Sequence, residues 1–209
     1  MKKQTKTIIL NTSLELFAKK GIDAVSLRDI AEVVGIKMSS IYYYYDSKNK
    51  LLKDIFDNYI EDIEQSFKSL SMRNRNAETP EDVIRNIFDE RNLSFNHNEG
   101  CFGMALAVRE QHNNEYARRC VFEVFYGFCV RSLETDFNRL IEEELIPPCF
   151  TRGIAMMLML CLIEINEMKV HQLMGAEQPI ECNELYDYLK HQTAFLLKNG
   201  YLSWRKPVE

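Results

Sequence analysis

Residues 26–52 read SLRDIAEVVGIKMSSIYYYYDSKNKLL, and this stretch decides the fold because it holds two short helical patterns separated by a tight turn. Ser26 and Asp29 form an S-x-x-D start that resembles a capping box, which is typical of a helix N-terminus. Gly35 ends the first pattern, since glycine readily adopts the left-handed conformation that closes a helix. A second short helix is therefore predicted over residues 36–45.

Apolar periodicity extends the helical prediction in both directions from this stretch. Residues 6–19 place apolar side chains at helical spacing, and Ser47 begins a long fourth helix predicted to end near Leu70. Polar residues 71–79 are predicted to form a loop. Further helices are predicted over residues 80–95, 103–111, 115–145, 152–174 and 180–199. Because no alternation long enough to build a sheet occurs, the sequence predicts an all-α protein of about nine helices.

The composition agrees with long helices in a cytoplasmic protein. Only 8 Gly and 5 Pro occur in 209 residues, whereas a strand-rich fold would need more of both in its turns. The longest apolar run, residues 154–165, is shorter than the roughly 20 residues that a membrane-spanning helix needs, so no membrane partner is expected. The six cysteines form no CxxC pair and follow no signal peptide, which predicts reduced core thiols.

The charge is divided unevenly along the chain. Residues 1–53 hold ten Lys or Arg and five Asp or Glu, whereas residues 54–209 hold 16 basic and 26 acidic residues. A basic end on an acidic body is expected when that end alone meets phosphates. We therefore predict two domains, a head at residues 1–53 and a larger helical body at residues 54–209.

The head satisfies the structural demand of a helix-turn-helix. Its second and third helices are joined by residues 35–37, so that one helix can brace the DNA backbone while the next enters the major groove. This groove is about 12 Å wide and admits a single helix. The polar and aromatic side chains predicted to face the groove are Met38, Ser39, Ser40, Tyr43 and Tyr44.

The tyrosine run at residues 42–45 has a plainer interpretation, in which it is mostly core and the basic head is an ordinary solvated surface. Ile41 and Tyr45 are predicted to be core. Four consecutive tyrosines on a helix cannot all point inward, however, so at least two of them are exposed. This exposure, beside the basic excess of the head, favours DNA binding.

Three motifs of the head resemble the TetR family of bacterial transcription regulators. Residues 9–21 (ILxxSLxLFxxxG) are similar to the first helix of that family, and residues 26–36 (SLRDIAxxxGI) resemble its second. Residues 40–52 (SIYYYYxSKxxLL) are similar to its recognition helix and the start of its fourth helix. The match covers about a quarter of the chain, and its order and spacing are specific.

The resemblance implies a ligand-responsive transcription regulator, and most members of the family are repressors. It also implies that the protein is not an enzyme and uses no cofactor. It implies three partners: a palindromic double-stranded DNA operator, a second copy bound through the last two helices, and an unidentified small-molecule effector in the body. The homodimer follows because two recognition helices must enter grooves one helical turn apart. The residues implied to contact DNA are Ser26, Arg28, Lys37, Met38, Ser39, Ser40, Tyr42, Tyr43, Tyr44, Lys48 and Lys50.

The head departs from the family pattern at three positions. Lys37 stands where a Ser or Thr cap is usual, so either Ser39 or Ser40 caps a shorter helix or Lys37 reaches a phosphate. Lys50 replaces an acidic residue, and with Lys48 and Lys53 it puts positive charge near a helix N-terminus, a conflict that an outside anion would relieve. Tyr45 replaces a Phe, so its hydroxyl must find a partner or protrude.

The body holds the candidate effector contacts, most of which are expected to be ordinary core. The candidates are Phe88, Phe95, Phe102, Met104, Phe122, Phe125, Tyr126, Cys129, Met156, Met159 and Glu164. Glu164 interrupts the apolar run, and a buried carboxylate needs a partner. We expect it to meet a cationic ligand, an arginine or the partner subunit. Arg109 and His97 are weaker candidates of the same kind.

Two other functions remain open at this point. A helical-bundle metal enzyme is suggested by Glu164, Glu167 and His171, which share roughly one helical face, although no matching Glu-x-x-His motifs occur. The second alternative is a helical adaptor that has lost DNA binding. The basic head with Tyr42 and Lys48 speaks against the adaptor.

Overall fold

The structure, a computed structural model, describes residues 2–89, 98–176 and 181–199, and these residues form nine helices and no strand. The predicted head, residues 1–53, holds α1 (Lys2–Lys20), α2 (Leu27–Val34), α3 (Met38–Tyr44) and the start of α4 (Lys48–Asn74). The predicted body holds the rest of α4, α5 (Pro80–Ile87), α6 (Asn98–Glu110), α7 (residues 115–142), α8 (Thr151–Leu173) and α9 (Cys182–Asn199). The predicted all-α fold is confirmed.

Helix α7 is continuous but changes its winding. It runs from an α-helical segment, Glu115–Arg119, through π-helical turns, Cys120–Cys129, to a second α-helical segment, Val130–Glu142. The single long helix predicted over residues 115–145 is therefore confirmed, whereas its π-helical turns were not predicted. Periodicity cannot reveal them, because the local sequence suits either kind of helix.

The ends of the head helices follow local signals in the sequence. The Ser26 hydroxyl accepts a hydrogen bond from the Asp29 backbone N–H at 3.2 Å, and the Asp29 carboxylate accepts the Ser26 backbone N–H at 2.7 Å. Gly35 has a φ of 74° and closes α2. Ser47 caps α4 by accepting the Lys50 N–H at 3.3 Å. The capping box, the glycine stop and the serine cap are all confirmed.

The predicted loop at residues 71–79 is wrong in its first part, because α4 continues to Asn74. The Asn74 side chain donates to the Asp136 carboxylate at 2.6 Å and accepts a hydrogen bond from Asn86 at 3.1 Å. These contacts come from distant parts of the chain and hold the last turn of α4 in place. The predicted domain boundary at residue 53 lies inside α4, and the division into two domains stays a prediction.

The helix predicted over residues 80–95 begins as predicted at Pro80 but ends earlier, at Ile87. Residues 90–95 lie outside the described part of the chain. In the core, α1 packs against α6, and α8 packs against α6, α7 and α9. All six cysteines are free thiols, four of them buried and two half-buried, which fits the predicted reduced state. No helix in the described part of the chain has the length and apolarity needed to cross a membrane.

Candidate nucleic-acid interface

The inner face of α3 is anchored by two side chains that are completely buried, Ile41 and Tyr45. The Tyr45 hydroxyl donates to the Asp54 carboxylate of α4 at 3.3 Å, and Lys6 of α1 forms an ion pair with the same carboxylate at 2.8 Å. Burial, followed by the nearby charge of Asp54, raises the pKa of Tyr45 above its usual value. Both predicted core positions are confirmed, and the hydroxyl has found its partner.

The outer face of α3 presents tyrosines to solvent. Tyr42 is 53% exposed and Tyr43 is 67% exposed, so the prediction that at least two tyrosines face outward is confirmed. Tyr44 is half-buried, and its ring meets the edge of the Tyr43 ring with centroids 5.2 Å apart. The short helix is therefore two-sided, with a core face that fixes its orientation and an aromatic face available to a partner.

The N-terminus of α3 has no side-chain cap. Lys37 occupies the cap position without a side-chain hydrogen bond, and the helix begins at Met38. The alternative in which Ser39 or Ser40 caps a shorter helix is wrong, because both lie within the first turn. Met38 is half-buried against the core, whereas Lys37 and Ser39 are exposed. Lys37 therefore remains free to reach outward.

Helix α2 presents Arg28 to solvent beside its capping box. The Ser26 hydroxyl donates to the Asp29 carboxylate at 2.6 Å, and this hydrogen bond lowers the pKa of Asp29. Ser26 is exposed, yet its hydroxyl is already engaged in the cap. Of the two α2 residues implied to meet the DNA backbone, only Arg28 has an uncommitted polar group among the described contacts.

Lys48 has a structural role that was not predicted. Its ammonium donates to the carbonyl oxygens of Ile22 and Val25 at 2.6 and 2.9 Å, and it lies 5.9 Å from the centre of the Phe17 ring. The first residue of α4 therefore ties down the loop between α1 and α2. An ammonium has three N–H donors, so one remains for a phosphate. The phosphate role of Lys48 stays a prediction.

The other two lysines at the start of α4 also have internal partners. Lys50 lies 4.0 Å from Asp46 and is exposed, whereas Lys53 forms an ion pair with Asp57. The hydrogen bond from Lys53 to Asp57 raises the pKa of Lys53. Because carbonyls and carboxylates already offset all three charges, the crowding of positive charge does not by itself indicate a bound anion.

Head and body are joined through Arg109 of α6. Its guanidinium donates to the carbonyl of Ala18 in α1 and, at 2.7 Å, to Glu167 in α8. Sequence reasoning ranked Arg109 only as a weak ligand candidate and missed this connection. No local signal could have found it, because the three residues are far apart in the chain.

The candidate effector residues occupy different surroundings. Phe88 meets Tyr186 edge-on with ring centroids 5.2 Å apart, Phe125 meets Tyr59 at 6.3 Å, and the Lys19 ammonium lies 5.5 Å above Phe102. Phe95 and His97 lie outside the described residues. The candidates that are buried in the chain are Phe88, Phe102, Met104, Phe125, Cys129 and Met159. Tyr126 and Met156 are half-buried, and Phe122 is exposed. A ligand contact for any of them stays a prediction.

The expected burial of Glu164 is wrong for the single chain. Glu164 is exposed, one helical turn after the exposed Leu160. The apolar run that surrounds it has an outer side as well as a core side, which a count of apolar residues does not distinguish. Which of the three expected partners Glu164 meets stays a prediction.

Helices α8 and α9 expose apolar side chains on the outside of the body. Leu160 of α8 and Tyr188 and Phe195 of α9 are large hydrophobic residues with roughly half or more of their surface exposed. The predicted dimer contact through the last two helices stays a prediction. Leu189 of α9, by contrast, is buried in the core of its own chain.

The metal-site alternative finds no support in the described ranges. Within them, no group of three or more His, Cys, Asp or Glu residues is arranged to hold a metal ion. Glu167 is engaged by Arg109, and the same carboxylate oxygen lies 3.5 Å from His171 Nε2. The face shared by Glu164, Glu167 and His171 therefore holds an ion-pair network.

Comparison with known proteins locates the likeness mainly in the head. Residues 9–55 match the sequence profile of the bacterial regulatory proteins of the tetR family. The HTH-type transcriptional repressor KstR2 of Rhodococcus jostii is 31% identical over 65 residues, which are 31% of this chain and 32% of KstR2. The biofilm operon icaADBC HTH-type negative transcriptional regulator IcaR of Staphylococcus epidermidis is 38% identical over 50 residues, 24% of this chain and 27% of IcaR.

The matched segment therefore spans about a third or less of these two relatives. The likeness in fold extends beyond the head into the body. A TetR transcription regulator from Haloarcula marismortui superposes with a TM-score of 0.67 at 13% identity, covering 93% of this chain and 97% of that one. At so low an identity the superposition establishes the arrangement of helices in the body.

Proposed function

We propose that the chain is a TetR-family regulator that binds a palindromic DNA operator as a homodimer and represses transcription until a small molecule binds its body, because residues 9–55 match the tetR family profile and the fold resembles that of a TetR regulator. The observation that carries this proposal is the two-sided helix α3. Its core face is fixed by Ile41 and Tyr45, while Tyr42 and Tyr43 face solvent. A rigidly held helix with an exposed polar and aromatic face suits the major groove.

The proposed DNA contacts divide into two groups. Base edges and thymine methyls are read by side chains of α3 and its entry, whereas hydroxyl and cationic groups hold phosphates and set the register. The proposed groove-facing residues are Lys37, Met38, Ser39, Ser40, Tyr43 and Tyr44. The proposed phosphate contacts are Ser26, Arg28, Tyr42, Lys48 and Lys50. Lys50 is the more exposed of the two α4 lysines in this group, and Lys48 offers its one remaining donor.

The second copy is proposed to bind along α8 and α9. Leu160, Tyr188 and Phe195 would be covered by the same helices of the partner, forming a four-helix bundle. Such a two-fold arrangement sets the two α3 helices about 34 Å apart, the spacing of successive major grooves on one side of DNA. Glu164 would then lie at or near this interface.

The effector is proposed to act by changing the spacing of the heads. A ligand that binds the body better in one conformation shifts the population towards that conformation. Arg109 offers a route from body to head, because it contacts Ala18 and Glu167 at once. On this proposal the chain is a cytoplasmic transcription regulator and not an enzyme; KstR2 is by name a transcriptional repressor, and IcaR is by name a negative transcriptional regulator. The adaptor alternative would leave the exposed tyrosines of α3 without a role.

The experiment that tests the proposal has two stages. Genome-wide footprinting of the full chain identifies its bound sites, and a palindromic site is then used to measure affinity against salt concentration. The variant Lys50→Gln is compared with Lys68→Gln, which removes the same charge from an exposed position on the body part of α4. We expect Lys50→Gln to weaken binding and to reduce the slope of log affinity against log salt by about 0.9, because one phosphate contact is lost.

Lys68→Gln should leave both quantities unchanged. Absence of any palindromic site in the footprint would overturn the proposed function. An equal effect of the two lysine variants would overturn the assignment of Lys50 as a phosphate contact.

A further inference from the structure

A groove of about 310 Å³ lies between the C-terminal end of α4 and the second half of α7. Its walls include Ser71 of α4, Arg75 directly after the end of α4, and Phe128, Arg131 and Arg139 of α7. Ser71 is about 35 Å along α4 from Lys48, at 1.5 Å per residue. The groove is therefore at the far end of the body from the proposed DNA contacts, and we call it the arginine groove.

The arginine groove concentrates positive charge in an acidic body. Three arginines, Arg75, Arg131 and Arg139, line it together with a single carboxylate, that of Asp136. Residues 54–209 as a whole contain 16 basic and 26 acidic residues, so this local excess has the opposite sign to its surroundings. A concave surface lined by one sign of charge raises the local concentration of ligands of the other sign.

The single carboxylate is committed to the floor of the groove. Asp136 is buried, accepts a hydrogen bond from Asn74 at 2.6 Å and a longer one from Ser71 at 3.4 Å, and has its pKa raised by burial. Ser71 in turn lies 3.0 Å from the Ser132 hydroxyl. The floor is thus a fixed polar network in which the nearby charges of Arg139 and Arg75 favour the buried Asp136 carboxylate, although neither guanidinium lies within ion-pair distance of it.

The three arginines differ in how far they are engaged. Arg139 contacts Glu143 and the carbonyl of Asn74, although its Nε is buried without an acceptor. Arg75 and Arg131 are exposed, and no carboxylate among the described residues lies within ion-pair distance of either. Two guanidinium groups are therefore available at the rim, and their planar forks suit the paired oxygens of a carboxylate or phosphate.

We propose that the arginine groove binds a small organic anion, whose carboxylate or phosphate pairs with Arg75 and Arg131 and whose apolar part packs on Phe128. The volume of the groove is at the lower end of the range found for small-molecule sites. This inference goes beyond the proposed function because it concerns the binding of an anion to the protein in the absence of DNA. If the anion is also the effector that controls DNA binding, that role rests on the proposed function.

The test uses titration calorimetry on the full chain without DNA. The probes are benzoate, phenyl phosphate and benzamide, which share an aromatic ring and differ in charge. We expect at least one of the two anions to bind with one site per chain, at least about tenfold more tightly than neutral benzamide, because a charge-assisted pair is lost with the charge. The tighter of the two anions identifies carboxylate or phosphate as the preferred group.

The variants locate the site. Arg75→Gln combined with Arg131→Gln should weaken anion binding by at least about tenfold, since both charge-assisted pairs are removed. Arg118→Gln removes an exposed arginine from the first segment of α7, outside the groove, and should leave binding unchanged. Arg131→Lys keeps the charge and should retain part of the affinity, which guards against a variant that only fails to fold.

The proposal is overturned if neither anion binds, if benzamide binds as tightly as the anions, or if the double variant binds like the unaltered chain. None of these outcomes bears on operator binding, which is measured separately, so failure of the arginine groove and failure of the proposed function are distinguishable.

Discussion

Arg109 and Glu167 form an ion pair at 2.7 Å that joins α6 to α8, and the same guanidinium holds the carbonyl of Ala18 near the end of α1. The last carbonyls of a helix carry partial negative charge, so a cation is stabilised there. One side chain thus links the head to two helices of the body, which makes it the first contact to probe.

Replacing Arg109 by Ala should lower the free energy of unfolding by about 1–3 kcal/mol, the usual cost of losing hydrogen bonds to a charged group. Glu167 then loses the hydrogen bond from Arg109, and its other carboxylate oxygen is already buried without a partner among the described residues. Urea unfolding measures the change. Arg118→Ala, at an exposed position, should stay within about 0.5 kcal/mol. A similar loss in both variants would show that the Arg109 bridge contributes nothing specific.

Lys48→Met and Lys50→Met should separate structure from DNA contact. Lys48 holds the carbonyls of Ile22 and Val25, so its replacement removes the donor to the Val25 carbonyl and leaves the Ile22 carbonyl with only the Val25 N–H, which should cost about 1–3 kcal/mol of unfolding free energy. Lys50 is exposed, and its replacement should change stability by no more than about 0.5 kcal/mol. Thermal and urea unfolding of both variants check this. The interpretation of Lys48 fails if the two variants are equally stable.

Gly103→Ala should destabilise the protein, although alanine normally favours a helix over glycine. An added Cβ at position 103 would lie 2.4 Å from the Tyr59 ring, and Tyr59 is held in place because it is buried and its hydroxyl donates to the Gly100 carbonyl. We expect a loss of about 1–3 kcal/mol from this overpacking. In the presence of Tyr59→Leu, which removes the ring, Gly103→Ala should cause a smaller loss of unfolding free energy than it does in the unaltered chain. A higher melting temperature for Gly103→Ala alone would contradict the close approach.

Leu160→Glu or Phe195→Glu should convert the dimer to monomers. Either change would bury an unpaired carboxylate in the proposed interface, at a cost of several kcal/mol, so the dimer should dissociate at concentrations at least about a hundredfold higher. Sedimentation velocity measures the state. Met72→Glu introduces the same charge at an exposed apolar position on α4 and should leave the dimer intact. If all three variants stay dimeric, α8 and α9 are not the interface.

Tyr45→Phe should cost about 1 kcal/mol of unfolding free energy, because only the hydrogen bond to Asp54 is lost and the ring still fills its site. Tyr45→Ala should cost about 3–5 kcal/mol through the cavity that it leaves. Urea unfolding distinguishes the two values. Equal losses would mean that the hydroxyl, and not the ring, holds α3 in place.

The helices of the head could be predicted from the sequence, because the signals that form them act over a few residues. The capping box of Ser26 and Asp29, the stop at Gly35 and the cap at Ser47 need no distant partner. The helical period then placed Ile41 and Tyr45 inside and forced tyrosines outward. Each of these features follows from residues that are close together in the chain, and all of them are confirmed.

The polar groups that meet across the fold could not be predicted from the sequence and became clear from the packing of the helices. The partners of Lys48 and Arg109, the extra turn of α4 held by Asn74 and the exposed position of Glu164 all depend on how separate helices are rotated and packed against one another. Apolar periodicity reports that a helix has a buried side, but it does not say which neighbour covers that side or which distant carbonyl a lysine will reach. Those contacts are set by long-range packing, which no local pattern encodes.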